Sequence, residues 1–115
     1  MNTLPLKVLF VCSKNRWRSP TAEHMYRNDS RLSVRSAGVK SDARRRVNEQ
    51  DLEWADVIFV MEREHKKTIE ERFAHLESPP IEVLDIPDDF QYLDPELQEL
   101  IRGAVEPELD RFLSR

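Results

Sequence analysis

A chain of 115 residues is long enough for one hydrophobic core and too short for two, since a domain usually takes about 100 to 150 residues. Apolar residues make up 39% and charged residues 35% of it, which excludes a disordered polymer and fits a small core under a charged surface. The net charge of -4 conceals an asymmetry: residues 1–50 carry eleven Lys/Arg against four Asp/Glu, and residues 51–115 carry seven against eighteen. Such halves can simply pair across one surface, and an anion site in the N-terminal half is the functional reading.

The run Lys7 to Val11 is short, apolar and β-branched and stops at a polar turn, as a strand buried on both faces does. Lys7 interrupts the opening apolar stretch and no small-residue cleavage site follows, so a signal peptide is not expected. Ser19-Pro20 offers a helix N-cap followed by proline at the first helical position, with a helix predicted down to Asn28. Leu32 to Ser36 reads as a second strand ending at Ala37-Gly38, and Lys40 to Arg46 as an arginine-rich loop.

Asn48 to Trp54 can form a short helix. Val57 to Met61 is a buried strand, followed by a charged surface helix over Glu62 to Phe73 and a break at Ser78-Pro79-Pro80. Ile81 to Leu84 is the fourth strand. Asp85 to Asp94 is an acidic loop, after which Asp94-Pro95 caps a last helix with an apolar stripe of Leu97, Leu100, Ile101, Val105, Leu109, Phe112 and Leu113. Gly103 either weakens this helix by roughly 1 kcal/mol or marks a close packing point, and Pro107 is expected to kink it.

Four buried strands alternating with helices predict one α/β domain over residues 1–115, with a four-stranded parallel sheet flanked by helices. Ligands of such sheets bind beyond the carboxyl ends of the strands, where the loop from Cys12 to Ser19 and the loop after Leu84 both emerge. No apolar stretch approaches the roughly 20 residues that span a bilayer. A lone cysteine excludes internal disulfides and multi-cysteine metal sites and fits a cytoplasmic location. Neither a metal nor another cofactor is expected.

Between a strand and a helix, Cys12-Ser13-Lys14-Asn15-Arg16-Trp17-Arg18-Ser19 can curl its backbone amides into a concave nest for a phosphate dianion. The positive helix end also favours a thiolate, the nucleophilic form of cysteine. Arg18, six positions after Cys12, can reach the far side of one bound anion and grip two phosphoryl oxygens in a bidentate fork, which lysine cannot do. Ser19 can donate its hydroxyl to the sulfur. A strand-end cysteine taken alone is more often an inert core residue; strand, cysteine, five residues, arginine, Ser-Pro and helix together point to phosphate chemistry.

Val8-Leu9-Phe10-Val11-Cys12, followed by Asn15, Arg18, Ser19, Pro20, Ala22 and Glu23, resembles the V-L-F-V-C-x-G-N-x-C-R-S-P-x-A-E signature of the low-molecular-weight protein tyrosine phosphatases. Ser36-Ala37-Gly38 is similar to that family's S-A-G turn, Arg45 through Met61 to its segment leading into the third strand, and Ile86 to Phe90 to its V-P-D-P-Y loop. The resemblance implies a phosphomonoester hydrolase acting on phosphotyrosine proteins or small aryl phosphates. Cys12 is then the nucleophile, Arg18 the phosphate clamp and Asp88 the general acid and base, with Asp89 the fallback acid. Ser13, Lys14, Asn15, Arg16, Trp17 and Ser19 would surround the phosphate, and Phe90 and Tyr92 would line the mouth. Asp85 and Asp94 read as structural.

Four departures from the pattern stand out. Only Val39 to Arg44 separates Gly38 from Arg45, where the family has a helix; an uncovered sheet face there motivates a homodimer. Lys14 replaces a glycine, which raises the prospect of loop strain. Arg16 and Trp17 replace an aliphatic residue and a second cysteine, so Cys12 has no thiol to shield it from over-oxidation. The histidine that supports the loop asparagine is replaced near Asp42. His24, His65 and His75 receive no role and are read as surface residues.

Two alternatives belong to other classes. One is a catalytically weak relative that binds phosphate or phosphopeptides. The other is a nucleic-acid reader using Lys14, Arg16, Trp17, Arg18 and the Arg44-Arg45-Arg46 run, disfavoured by the acidic net charge. Arsenate reductases share the fold and loop but need further cysteines.

Overall fold

Leu6–Cys12 forms the first strand, β1, with every residue but Lys7 buried; alternation is lost because both faces are covered. The structure, a computed structural model, describes residues 4–114. Helix α1 (Arg18–Tyr26) follows, then β2 (Leu32–Gly38), α2 (Glu49–Trp54), β3 (Val57–Val60), α3 (Arg63–Arg72), β4 (Ile81–Val83) and α4 (Pro95–Leu113). The result is one α/β domain whose strands lie in the order β2-β1-β3-β4, all parallel.

The predicted elements stand with shifts of a residue or two at their ends, apart from the start of α1. That helix begins at Arg18, not after Ser19, and its N-cap position is Trp17, which caps with no side chain. Ser19 does not cap; its hydroxyl is engaged by Cys12 and Asn15. Asp94 does cap α4, accepting from the Glu96 N–H at 2.8 Å.

Each face of the sheet buries its own cluster. Phe10, Phe59 and Val8 pack beneath α1 and α4, through Ala22, Tyr26, Leu97, Ile101, Val105, Leu109 and Phe112. Leu9, Val11, Ile58 and Val60 pack beneath α2 and α3, through Leu52, Ile69 and Phe73. Leu100, counted in the sequence stripe, is instead 41% exposed. α4 continues through Pro107, and a methyl group at Gly103 would meet nothing within 4 Å, so Gly103 is no packing point. No described helix is long and apolar enough to cross a membrane.

Val39 and Val47, in the connection after β2, are buried in the second cluster and cover part of the sheet face whose exposure motivated a homodimer.

β1 feeds a helix on one face and β3 a helix on the other, so the crevice beyond their carboxyl ends is a topological switch point. The Cys12 loop and the first turn of α3 border it.

Candidate active site

Cys12 is the last residue of β1, and the loop that follows is held open from outside. The carbonyls of Cys12, Ser13 and Lys14 accept from the N–H groups of Val39, Lys40 and Arg44 at 3.1, 2.9 and 2.9 Å. The Asn15 carbonyl accepts from Arg44 Nε at 3.0 Å. Four successive carbonyls are thereby committed to residues 39–44. Among the described residues, none accepts from the backbone N–H groups of Ser13 to Trp17. Uncommitted amides in succession at a helix N-terminus make an anion nest.

Asn15 takes the left-handed backbone conformation the turn requires, at φ 57°; asparagine is among the few side chains that adopt it readily. Its Nδ2 donates to Ser19 Oγ and Ser36 Oγ, both at 2.9 Å, and the side chain is fully buried. Lys14 is not among the positive-φ residues, so lysine fits there without the strain that a glycine position suggests. Its ammonium pairs with Asp42 at 3.4 Å.

Gly38 closes the back of the loop. A Cβ there would stand 2.7 Å from the Ser13 carbonyl oxygen, 2.8 Å from Ala43 Cβ and 2.9 Å from the Asn15 nitrogen. Here glycine is required by close approach and not by its dihedral freedom.

Within this frame Cys12 Sγ lies 2.9 Å from Ser19 Oγ. Arg18, 2% exposed, lies under the pocket. Its Nη1 donates to Glu62 Oε2 at 2.5 Å and to the Ile86 carbonyl at 2.8 Å, and its Nε is 3.5 Å from Asp88 Oδ1. The Nε–Nη2 edge, where Nε faces Asp88 and Nη2 has no partner among the described residues, presents two N–H groups suited to two oxygens of one anion.

His65 is 1% exposed, contrary to its reading as a surface residue. Its Nδ1 accepts from the Glu62 N–H at 3.1 Å, which places the ring proton on Nε2, 2.9 Å from Ser13 Oγ. Ser13 therefore accepts from His65 and keeps its own hydroxyl proton for another acceptor. Burial, reinforced by the Arg18 guanidinium, holds the imidazole pKa below its ordinary value, while Glu62, Glu64 and Asp88 pull the other way.

These groups surround a cavity of about 410 Å³ lined by Cys12, Ser13, Arg18, Trp17, Glu62 and Asp88, with Lys14, Arg16, Lys40 and Glu64 at its margins. Of the residues assigned from sequence, Asn15 and Ser19 support the loop from behind. Phe90 packs on the core under α1 and α4 and does not line the mouth. Tyr92 borders a neighbouring groove on the other side of Trp17. Asp88 reaches the cavity; Asp89 is not in its lining.

Solved structures of similar shape include the low molecular weight protein tyrosine phosphatase of Streptococcus pyogenes, 20% identical over 92% of each chain with a TM-score of 0.77. The chain has the fold of the low-molecular-weight protein tyrosine phosphatases. The arginine phosphatase YwlE of Geobacillus stearothermophilus is 25% identical, covers 96% of this chain and 98% of its own, and has a TM-score of 0.72. The arginine phosphatase of drosophila is 24% identical over 93% of this chain and 98% of its own, with a TM-score of 0.69. No protein-family profile and no curated protein matches the sequence.

Against the low-molecular-weight phosphatase signature, Asp42 does not support the loop asparagine; Ser36 and Ser19 do. Glu62, His65 and Lys40 are the site residues that sequence reasoning missed. The available signal was strand order: once β3 is placed beside β1, the Glu62-x-x-His65 turn that opens α3 must face the Cys12 loop.

Proposed function

We propose that the chain is a cysteine-dependent phosphatase that hydrolyses phosphorylated protein side chains. The observation that carries this is the conjunction of Cys12 Sγ, 2.9 Å from Ser19 Oγ, with the uncommitted amides of Ser13 to Trp17 and the buried Arg18 in one cavity.

A phosphoryl group seated in the nest presents its phosphorus to Cys12. The sulfur attacks, an S–P bond forms, and the bond from phosphorus to the leaving atom breaks in line. Arg18 holds equatorial oxygens through Nη2 and Nε while Glu62 and the Ile86 carbonyl fix the guanidinium from behind, so its charge is oriented before the substrate arrives. Asp88 gives its proton to the leaving atom. As a carboxylate it then takes a proton from water, whose oxygen attacks phosphorus; the S–P bond breaks, phosphate departs, and the Ser19 hydroxyl stabilises the returning thiolate.

Asp88 is preferred to Asp89 because its carboxylate borders the cavity 3.5 Å from Arg18 Nε. Trp17, 43% exposed beside the opening, offers a face for an aryl leaving group and supports phosphotyrosine as substrate. A second reading, phosphoarginine, is favoured by three carboxylates, Glu62, Glu64 and Asp88, around the same cavity, since a departing guanidinium is cationic. Two of the similar structures named above are arginine phosphatases.

Hydrolysis of p-nitrophenyl phosphate by wild type, Cys12→Ser and Asp88→Asn tests the reading. Turnover without added metal, lost in Cys12→Ser and reduced by about 10²-fold or more in Asp88→Asn, is the expected result; undiminished turnover in Cys12→Ser would sink it. Comparing kcat/KM for a phosphotyrosine and a phosphoarginine peptide of the same sequence decides the leaving group.

A further inference from the structure

Beside the active-site cavity lies a second groove of about 450 Å³ that shares Arg16 and Trp17 with it. Pro20, Glu23, His24, Arg27, Arg44 and Tyr92 form the rest of its lining. Among the described residues no ion pair engages Arg16, Arg27 or Arg44. Arg27 contacts the His24 ring at 2.8 Å, and Arg44 donates to the Asn15 carbonyl. The one carboxylate in the lining, Glu23, accepts from Ser36 Oγ at 2.5 Å.

The opening is therefore polarised. Glu62, Glu64 and Asp88 line the cavity but not the groove; the groove holds three arginines against the single carboxylate of Glu23, with Asp42 near enough to Arg16 to feel its charge, in a protein of net charge -4. Three arginines in excess of one carboxylate, along a groove that adjoins the cavity, are suited to further anionic groups on the same ligand.

We propose that this groove receives an acidic stretch of polypeptide next to the phosphorylated residue, making the enzyme selective for phosphoproteins with an acidic flank on one side. The proposal rests on the phosphatase reading for its anchor, the phosphorylated side chain in the cavity. The carboxylates of the cavity itself, Glu62, Glu64 and Asp88, disfavour a nucleic acid, whose phosphates would run onto them on leaving the groove. A peptide can carry acids on one side only.

The test uses fluorescence anisotropy with the Cys12→Ser protein, which cannot turn the ligand over, and three phosphotyrosine peptides: uncharged flanks, three acidic residues before the phosphotyrosine, and three after it. One acidic peptide should bind about tenfold more tightly than the uncharged one at low salt, with the advantage falling at 0.5 M salt. Adding Arg27→Glu should reduce that advantage to about twofold or less, while Arg27→Glu alone leaves p-nitrophenyl phosphate turnover unchanged.

An advantage below twofold for both acidic peptides, or one that survives Arg27→Glu, overturns the proposal. So does a single-stranded oligonucleotide that displaces the acidic peptide more effectively than the unlabelled peptide itself. Absence of p-nitrophenyl phosphate turnover in wild type would count against the phosphatase reading alone, because the anisotropy measurement decides the groove without catalysis.

Discussion

Glu62→Gln separates the two partners of Arg18, the ion that holds it and the anion it would bind. The Arg18 side chain is 1% exposed and the Glu62 side chain 41%, so the pair is buried at one end and wet at the other. Removing one member of a fully buried pair costs about 3–5 kcal/mol; with Glu62 part-solvated, and Ile86 and Asp88 still facing the guanidinium, about 1–2 kcal/mol is expected. For a domain of this size that lowers Tm by roughly 4–8 °C. The glutamine also removes a negative charge beside the nest, so saturating inorganic phosphate should raise Tm more in Glu62→Gln than in wild type. Phosphatase kcat should fall about tenfold, since the amide holds the fork less firmly. Differential scanning fluorimetry with and without phosphate makes the measurement. A variant with unchanged Tm and the same response to phosphate would refute the reasoning, because Arg18 would then not depend on Glu62 in either respect.

Gly38→Ala should displace Ser13 and Asn15, lowering stability by about 1–3 kcal/mol in chemical denaturation and phosphatase activity by more than that loss of folded protein accounts for. On the proposed mechanism, Ser19→Ala should slow breakdown of the phosphocysteine more than its formation, giving a larger burst of p-nitrophenol in rapid mixing than wild type gives. His65, held neutral by burial, takes its proton later than the unfolded chain does as pH falls. Its contribution to stability is complete above about pH 6.5 and is lost as pH drops below that, at up to about 1.4 kcal/mol per pH unit. His65→Gln should show a shallower fall in stability from pH 6.5 to 5.5 than wild type, and equal slopes would count against the buried neutral ring.

What could be read from the sequence was what lies close together along it. β1, the nest and Arg18 fall within thirteen residues, and the apolar runs that make β1 and β3 are continuous because both faces are buried. Ser19-Pro20 misled because the same residue types serve as a cap or as a hydroxyl donor within a helical turn; the choice is made by Cys12 and Asn15, which the cap rule does not consider. His65 was missed because its partner Ser13 is 52 positions away and a lone histidine in a charged helix carries no local mark of burial. Phe90 and Tyr92 are two apart in the loop after β4 yet separate, one onto the core and one beside His24, at 6.3 Å between ring centroids.

The connection after β2 shapes the loop itself. Residues 39–44 run close enough to Cys12–Asn15 to take up its carbonyls one after another, and turning those carbonyls outward leaves the amides free for an anion. That approach is possible only because position 38 has no side chain: a Cβ would collide with both strands of the contact, at Ser13 and at Ala43. The same proximity places Arg44 on Asn15 and Lys40 at the cavity margin. The close-packed connection thus brings positive charge onto the rim while covering the sheet with Val39 and Val47. The basic side of the opening and the shape of the nest have a common origin, and a change that lengthens residues 39–44 should disturb phosphate binding and flank selectivity together.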